Sequence, residues 1–593
     1  MRPRIGKRVY LPATLVLGIF SLAASRRPPI EVAARPVSTT TPTDSSELLT
    51  ASDVEGIVSN AAGEAERHGI RAVIAVVDRE ENVLGVFRMD DAPRRLQFSA
   101  RRGGAAANDG THGFEGLTLA PNGDPAGPNV IVAGPGIPDP TVLAALSKAG
   151  TAAVFETTGN AFSTRTASFI IQEHFPPAID FTSGGPLFGV QFSNLTCTDV
   201  KRVDPAAGNL ALPLGLSADP GGLPLYKNGQ PVGAIGVEAN GIYTADLDPA
   251  VRTVDAEEVA ALAGTRGFEP PTEIRGDQIF VNGIRLPFAD SEVPQGTGAL
   301  PAGAFVPGFA PRDGLPTAFV PIVVGGLAAT ADPRFYPFSG SGAPGGLTAE
   351  DVSRIIGQGI AQAYRTRAAI RRPLGSAAQV NVAVVDAQGV VLGIARTPDA
   401  PVFGFDVSAQ KARTAAFFSS ASAGTALTAA GLGEYVANAG REGLRLNGDV
   451  AFSDRATGFL SRPFFPDGIN ETAAGPFSRP IVEWSVFNVG LQSDLLRDAL
   501  LGIVVGTHPL GPPCTPIPAI AHGIQIFPGS VPLYKNGVLV GGIGVSGDGV
   551  DQDDIVAAMA SAGFEAPEAI RSDRVFVRGV RLPWVKFPRH PNL

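Results

Sequence analysis

The chain contains one module twice, and this repetition constrains its fold more than any other feature of the sequence. Four sequence blocks recur in the same order at offsets of 298, 308, 308 and 296 residues. The paired blocks begin at Leu49 and Leu347, Ala75 and Ala383, Pro224 and Pro532, and Ile279 and Val575. Ordered blocks at a nearly constant spacing indicate a tandem duplication of a unit of about 240 residues.

The composition fits a folded, loop-rich chain. Of 593 residues, 72 are Gly and 52 are Pro, while 44% are hydrophobic and 17% are charged, which permits packed cores. We therefore divide the chain into five parts. These are a signal peptide at 1–25, a disordered N-terminal segment at 26–46, repeat one at 47–288, a Gly/Pro-rich linker at 289–346 and repeat two at 347–593. The linker has one apolar island, 318–327, which we expect to dock on a neighbouring repeat.

The N-terminus has the pattern of a secretory signal peptide. Basic residues at positions 2, 4, 7 and 8 precede an apolar stretch, Val9–Ala24, which ends in the small residues Ala23-Ala24-Ser25. The stretch contains Pro12 and is shorter than the roughly twenty residues of a membrane span. We expect a secreted or periplasmic protein, with an uncleaved membrane anchor as the alternative.

Charge and motifs exclude several classes of function. The net charge is −9, and no block of basic residues stands apart, which disfavours nucleic-acid binding. The chain has no G-x-S-x-G, H-E-x-x-H or C-x-x-C motif, so the common hydrolase, metalloprotease and redox signatures are missing. We favour a binding protein over an enzyme.

The blocks also predict local structure. Thr50 and Thr348 each precede an acidic residue by three positions, which is typical of a helix start. The apolar runs Val73–Val77 and Val382–Val385 predict buried strands, and the Asn-Gly pair in each PLYKNG block predicts a hairpin. This order predicts an α+β fold in which helices cover an antiparallel β-sheet.

The motifs resemble those of a known family. LT-x-x-D, AVVD followed by D-A-P, K-A-x-T-A and PLYKNG followed by G-x-IGVSG are similar to the haem-binding family typified by HbpS, GlcG and the C-terminal domain of PduO. The resemblance implies two profilin-like modules, often secreted or periplasmic, that bind haem and oligomerise. Both units carry long loop insertions, and in repeat one about forty-five inserted residues delay the K-A-x-T-A helix.

The haem ligand that the resemblance suggests is His68. Haem iron usually takes an axial His, Met, Cys or Tyr, and the chain has six His. His68 extends the apolar stripe of the first helix, and the resemblance implies that a His of this helix ligates haem in some relatives. The alternative is that His68 only complements the helix dipole. In repeat two the nearest residues are Tyr364 and Thr366.

Lys148 and Lys411 are also candidate cofactor-binding residues. Lysine is scarce in this chain, and both residues lie in the matched K-A-x-T-A helices. A cation there could meet a haem propionate or another carboxylate. The alternative is a structural ion pair, with Asp78 or Asp386 as the partner.

Cys197 and Cys514 are the only cysteines, and each precedes a PLYKNG block. In an exported protein we expect them to form a disulfide across a pseudo-symmetric contact between the repeats, with two separate buried thiols as the alternative.

Two further groups of residues are weaker candidates for metal sites, because both lie in loops without a strict spacing. They are Asp109, His112 and Glu115 in one loop and His508, Cys514 and His522 in another.

The sequence therefore predicts an exported haem-sensing or haem-sequestering protein. The duplication would build into one chain the dimer contact that single-domain relatives make between chains, and homo-oligomers could form in addition. The expected partners are haem or a similar tetrapyrrole and a membrane sensor or transporter. The alternatives are a scaffolding module that kept the fold and lost haem, and an accessory enzyme in small organic acid or corrinoid metabolism.

Overall fold

The computed structural model describes most of the chain after the N-terminal segment. The described residues are 48–99, 112–203, 210–246, 248–249, 251–291, 294–295, 298–488 and 490–586. The signal peptide at 1–25 and the segment 26–46 lie outside them, as does Asp109. None of the helices within the described ranges is long and apolar enough to cross a membrane.

The first half of the chain alternates helices with short strands. Its helices are α1 (Ala51–Arg67), α2 (Pro140–Phe155), α3 (Thr164–Ile170) and α4 (Ala256–Gly264). Its strands are β1 (Val73–Asp78), β2 (Val83–Met89), β3 (Leu96–Phe98), β4 (Thr118–Ala120), β5 (Val130–Val132), β6 (Gly222–Lys227), β7 (Gln230–Glu238), β8 (Ile242–Tyr243), β9 (Phe280–Val281), β10 (Ile284–Arg285) and β11 (Gly303–Phe305).

The second half repeats this order with more helices. Its strands are β12 (Val320–Val324), β13 (Leu327–Ala331), β14 (Val380–Asp386), β15 (Val391–Arg396), β16 (Ser530–Lys535), β17 (Val538–Gly547), β18 (Phe576–Val577) and β19 (Val580–Arg581). Its helices are α5 (Ala349–Arg365), α6 (Phe403–Phe418), α7 (Ala423–Ala429), α8 (Gly433–Arg441), α9 (Asp454–Leu460), α10 (Leu491–Val505) and α11 (Val550–Ala560).

Each repeat is built on an antiparallel sheet with helices on both faces. The strand order is β11-β2-β1-β7-β6 in the first sheet and β12-β13-β15-β14-β17-β16 in the second. In β1, Ile74 and Val76 face the core under α1 and α4, whereas Val73, Ala75 and Val77 face α2. This alternation follows from the two-residue period of a strand. The predicted α+β class with antiparallel sheets is confirmed.

The lysine of each PLYKNG block holds the start of the first helix of its repeat. Thr50 and Asp53 form the reciprocal capping box predicted for α1. The Nζ atom of Lys227 lies 2.6 Å from the Oδ2 atom of Asp53, and Lys535 lies 3.0 Å from Asp351 in the same way. The repeated motif therefore joins a sheet hairpin to a helix N-terminus.

The segment predicted as a linker, 289–346, supplies strands to both sheets. Strand β11 pairs with β2 in the first sheet. Strands β12 and β13 form a hairpin that joins the second sheet where Thr330 pairs with Arg396. The apolar island 318–327 is thus mostly edge strand of the second sheet, because its apolar residues complete the surface under α5.

The insertions of the two repeats share one apolar core. Phe487 of repeat two packs against Phe98, Phe114 and Phe192 of repeat one, with ring centroids 5.8, 5.4 and 4.8 Å apart. The repeats therefore pair within the chain through aromatic side chains. In an isolated repeat, these side chains would be exposed to water.

Equivalent positions meet across this contact. His174 stacks on Phe464 with ring centroids 5.7 Å apart, and Asn470 donates a 2.8 Å hydrogen bond to Asp180. Both pairs are 290 residues apart in the chain, which is the offset between the similar segments that begin at Ser163 and Ser453. Contacts between equivalent positions are the signature of a two-fold, isologous interface.

Cys197 and Cys514 form a disulfide between the two insertions. Their Cα atoms lie 5.0 Å apart although 317 residues separate them in the chain. The bond therefore links repeat one to repeat two.

We expect both cysteines to resist alkylation in denaturant without reductant and to react fully after reduction, as measured by mass spectrometry.

We expect the double variant Cys197→Ser, Cys514→Ser to lose about 2–5 kcal/mol of unfolding free energy, because the bridge constrains a long loop in the unfolded chain. Alkylation of either cysteine without reductant would contradict the bridge.

Candidate functional site

Lys148 lies on α2, where this helix packs against the first sheet, and its side chain is fully buried. Its Nζ atom lies 2.6 Å from Glu257, 3.0 Å from Asp219 and 3.0 Å from Glu238. Glu257 is in the first turn of α4, and Glu238 is the last residue of β7. A charge is tolerated in a protein interior only when it is paired, so this cluster ties two helices and a strand together.

The protonation of these carboxyl groups depends on their burial and on how close they lie to one another. Burial, partly offset by Lys148 and reinforced by Glu238, raises the pKa of Asp219 to about 8. Burial and Glu238 also raise the pKa of Glu257 well above its usual range. The three carboxylates outweigh the effect of burial on Lys148 and raise its pKa. The cluster therefore holds protons on carboxyl groups near neutral pH, because burial disfavours their charged forms and the repulsion from Glu238 adds to this effect.

Lys411 occupies the same place in repeat two with a different set of partners. Its Nζ atom lies 3.0 Å from Asp553, donates to the carbonyl oxygen of Val545 at 2.8 Å and lies 4.4 Å from the ring centroid of Phe527. Burial, partly offset by Lys411, raises the pKa of Asp553 to about 7. A carboxyl group, a carbonyl and a ring face together surround this ammonium.

Two sequence differences explain why the clusters differ. Phe527 stands at the position of Asp219, and Ser546 stands at the position of Glu238, both at the 308-residue offset of the PLYKNG blocks. Repeat two thus has an aromatic ring and a hydroxyl group where repeat one has two carboxylates. Less negative charge therefore surrounds Lys411 than Lys148.

The lysine partners differ from those expected. Asp78 and Asp386 do not hold the lysines; each instead accepts, at 2.9 Å, a hydrogen bond from the backbone N–H four residues later and so closes a β-turn. Because Lys148 and Lys411 are fully buried in their ion pairs, a propionate could reach neither without displacing a carboxylate. The structure therefore argues against their predicted role in cofactor binding and for a structural one.

His68 lies at the C-terminal end of α1, with a side chain that is 21% exposed. Its Nε2 atom lies 3.1 Å from Glu64 and 2.8 Å from the guanidinium of Arg67. The guanidinium of Arg67 also binds the same carboxylate of Glu64, at 2.5 Å. If iron took the Nε2 atom, Glu64 would still keep its pairing with Arg67. His68 could therefore hold a haem iron only after its Nε2 atom leaves Glu64 and Arg67, and this exchange would leave no buried charge unpaired.

The first predicted loop group draws its partners from the other repeat. The Nδ1 atom of His112 lies 2.8 Å from Asp494, and its Nε2 atom lies 3.8 Å from Glu434. Glu115 instead accepts a long, 3.5 Å hydrogen bond from Ser99. The sequence spacing predicted that the partners of His112 would be its neighbours along the loop. The shared core instead places α8 and α10 against this loop.

The second predicted loop group does not assemble. Cys514 is in the disulfide, His508 lies next to the carbonyl oxygen of Pro509, and His522 is buried 3.0 Å from a carboxylate oxygen of Asp406. These three side chains thus have separate partners, because the Pro-rich loop spreads them apart.

The two repeats share a fifth sequence block, which was not among the four predicted ones. STRTASFI from Ser163 is answered by SDRATGFL from Ser453 at an offset of 290, and the two segments form α3 and α9. Arg165 lies 2.7 Å from Glu258, and the equivalent Arg455 lies 2.5 Å from Asp554. Only three of the eight paired residues are identical, but the Phe-Pro pair downstream of each block could have revealed it.

A known family matches the second repeat. The family model for haem-degrading HbpS-like proteins covers residues 347–453 and 484–562. The second repeat is therefore similar to this family. The predicted resemblance is confirmed there, and the match leaves out 454–483, which includes all of α9. No curated protein matches the chain.

Two solved structures are remotely similar to this chain. One is a complex of PduOC with heme, at 18% identity and a TM-score of 0.18, covering 37% of this chain and 97% of that one. The other is the protein ORFY of Klebsiella pneumoniae, at 16% identity and a TM-score of 0.20, covering 38% of this chain and 94% of that one. These similarities are too distant to indicate a ligand.

We expect Lys148→Met to lower the free energy of unfolding by about 3–5 kcal/mol, because it leaves a cluster of buried carboxylates without a cation. Lys411→Met should cost less, since it removes the cation from one carboxyl group, that of Asp553, instead of three. Denaturant unfolding at pH 6, followed by circular dichroism, measures both. Lys227→Met is the control, with a loss of about 1 kcal/mol expected for a partly exposed pair. Equal losses in the two buried variants would contradict the difference between the clusters.

We also expect the melting temperature to fall as the pH rises from 5 to 8. A carboxyl group with a folded-state pKa of about 8, far above its value in the unfolded chain, favours the folded state at low pH and loses this contribution as the pH rises. In Asp219→Asn the fall should be smaller, because the amide does not ionise. Thermal unfolding across this pH range measures the slope, and an unchanged slope in the variant would refute the assignment to Asp219.

Proposed function

We propose that this chain is an exported haem-binding protein and that His68 ligates the haem iron. The observation that carries the proposal is the HbpS-like domain of repeat two, since that family is described as haem-degrading. Haem, when bound, would supply iron-centred ligand-binding or redox chemistry. The two repeats share their sheet order and their buried lysine, which extends the family character to repeat one.

Repeat one offers the better ligand of the two repeats. At the 298-residue offset of the first block, the position of His68 is taken by Thr366, which is fully buried and donates to the carbonyl oxygen of Gln362. The nearby phenol of Tyr364 donates to the carbonyl oxygen of Ala328 at 2.9 Å, and burial raises its pKa, which disfavours the phenolate. We therefore propose one haem per chain, in repeat one.

Two other described imidazoles, those of His174 and His522, are less suited to iron. His174 is buried, faces the carbonyl oxygen of Thr182 and stacks on Phe464, and His522 is buried against Asp406. His68 combines partial exposure with a carboxylate that stays paired when the imidazole leaves. It therefore requires a smaller rearrangement than His174 or His522 would.

The disulfide supports the proposed export. Disulfides persist in oxidising compartments such as the periplasm and the cell exterior, and are rare in the cytosol. Together with the N-terminal pattern of basic and apolar residues, the bond between Cys197 and Cys514 favours a secreted or periplasmic protein. Delivery of haem to a membrane sensor or transporter would follow from that location.

A haemin titration of the chain from residue 26, followed by absorption, tests this function. We expect a saturable Soret shift at about one haem per chain, strongly weakened in His68→Ala because the axial ligand is gone. His508→Ala is the control, since this imidazole is half-buried in a loop of repeat two and lies next to the carbonyl oxygen of Pro509.

The other outcomes separate the alternatives. A shift that persists in His68→Ala and disappears in Tyr364→Phe would place haem in repeat two. The absence of any saturable shift would overturn haem binding and leave a scaffolding module with the family fold.

A further inference from the structure

A cavity of about 450 Å³ lies between the two repeats and contains none of the predicted site residues. Its apolar wall comes from both repeats: Phe155, Phe162 and Phe175 from repeat one and Phe403 from repeat two. Each of these side chains is at most 9% exposed. The rings of Phe155 and Phe403 have centroids 4.7 Å apart. The volume and the aromatic wall are typical of a small-molecule site.

One buried cation in this cavity has unfilled hydrogen-bond donors. Arg462 lines the cavity and is 8% exposed, and its Nε and Nη1 atoms are buried without a hydrogen-bond partner. The nearest carboxylate, that of Asp467, lies 3.7 Å from Nε, which is beyond hydrogen-bond distance. The face of the guanidinium lies 3.9 Å from the ring centroid of Phe188, which fixes its plane. Buried donors without acceptors are costly, so this group is poised to bind an acceptor.

The other cations of the cavity are already neutralised. Arg455 lies 2.5 Å from Asp554 and 2.8 Å from Asp551, and Lys586 lies 2.8 Å from Asp551. Among the three cations of the described lining, Arg462 is therefore the one with buried donors that lack an acceptor.

Arg462 is not required by the fold that the repeats share. The equivalent position in repeat one, at the 290-residue offset, is Gln172, whose amide donates to the carbonyl oxygens of Ser168 and Asp246. A Cβ atom at Gly184 would lie only 2.4 Å from the Nη1 atom of Arg462. The absence of a side chain at Gly184 therefore leaves space for the guanidinium. Arg462 also lies in 454–483, the segment that the HbpS-like match leaves out.

We propose that this cavity binds an organic acid with a flat aromatic body, whose carboxylate pairs with the guanidinium of Arg462. Guanidinium and carboxylate match in geometry and form charge-assisted hydrogen bonds, and the phenylalanine wall accepts the aromatic body. The described lining of the cavity contains no His, Cys, Met or Tyr, so it supplies no usual axial ligand to a haem iron. The site is therefore separate from the proposed haem site at His68.

Anthracene-9-carboxylate, a fluorescent aromatic acid, serves as the probe, and its neutral carboxamide serves as the matched ligand without charge. We expect the acid to saturate at one molecule per chain and to bind about tenfold more tightly than the amide, the gain of one buried ion pair. Arg462→Gln, which installs the residue of repeat one, should abolish the difference. Arg574→Gln removes the same charge from an exposed ion pair with Glu568 and should leave it intact.

Three results would overturn the proposal. They are no saturable binding of the acid, equal affinities of acid and amide in the unsubstituted protein, and an undiminished preference for the acid in Arg462→Gln. The comparison of acid with amide needs no variant, so it holds even if Arg462→Gln fails to fold.

Competition with haemin separates this site from the haem site. We expect the probe to stay bound when haemin saturates the protein, and to bind equally well to His68→Ala. Displacement of the probe by haemin, in both the unsubstituted protein and His68→Ala, would instead make the cavity a haem pocket and refute a separate site.

Discussion

The burial of one insertion against the other is the contact on which the rest of this structure depends. Phe487 of repeat two is enclosed by Phe98, Phe114 and Phe192 of repeat one, so the apolar surface of each insertion is removed from water only by its partner. The contact brings equivalent positions together around a local two-fold axis, places the two cysteines within bonding distance and encloses the cavity that contains Arg462. A single repeat would expose this surface and lose all three features.

Duplication kept the scaffold and changed the chemistry placed on it. Both sheets have the same strand order around their central pair, both first helices begin with a capping box, and both buried lysines stay paired. The differences lie at the polar positions beneath and between the helices. They are Asp219 and Phe527, Glu238 and Ser546, His68 and Thr366, and Gln172 and Arg462. Symmetric packing with asymmetric polar groups would allow one chain to hold the two proposed ligand sites, one on repeat one and one between the repeats.

Local sequence patterns predicted the helices and strands better than they predicted which distant side chains contact each other. The capping box at Thr50 and the strands at β1 and β14 follow from short-range spacing and from runs of apolar residues, and the structure has them. The partners of Lys148 were missed because they lie 71 to 109 residues further along the chain, at the ends of other elements. The role of 289–346 was likewise hidden, since Gly and Pro content marks loops but does not exclude short edge strands.

The sequence by itself determined the duplication, the fold class and the family of repeat two, because repeated blocks and periodicity are properties of the chain read in order. Only the tertiary structure decided that Lys148 and Lys411 are buried in ion pairs and that His68 shares a carboxylate with Arg67. It also decided that Arg462 lies in a cavity and has buried donors without a hydrogen-bond partner. These facts depend on which distant side chains meet and how much water is excluded where they do. Burial and pairing set the energy of a charge, and neither can be read from neighbours along the chain.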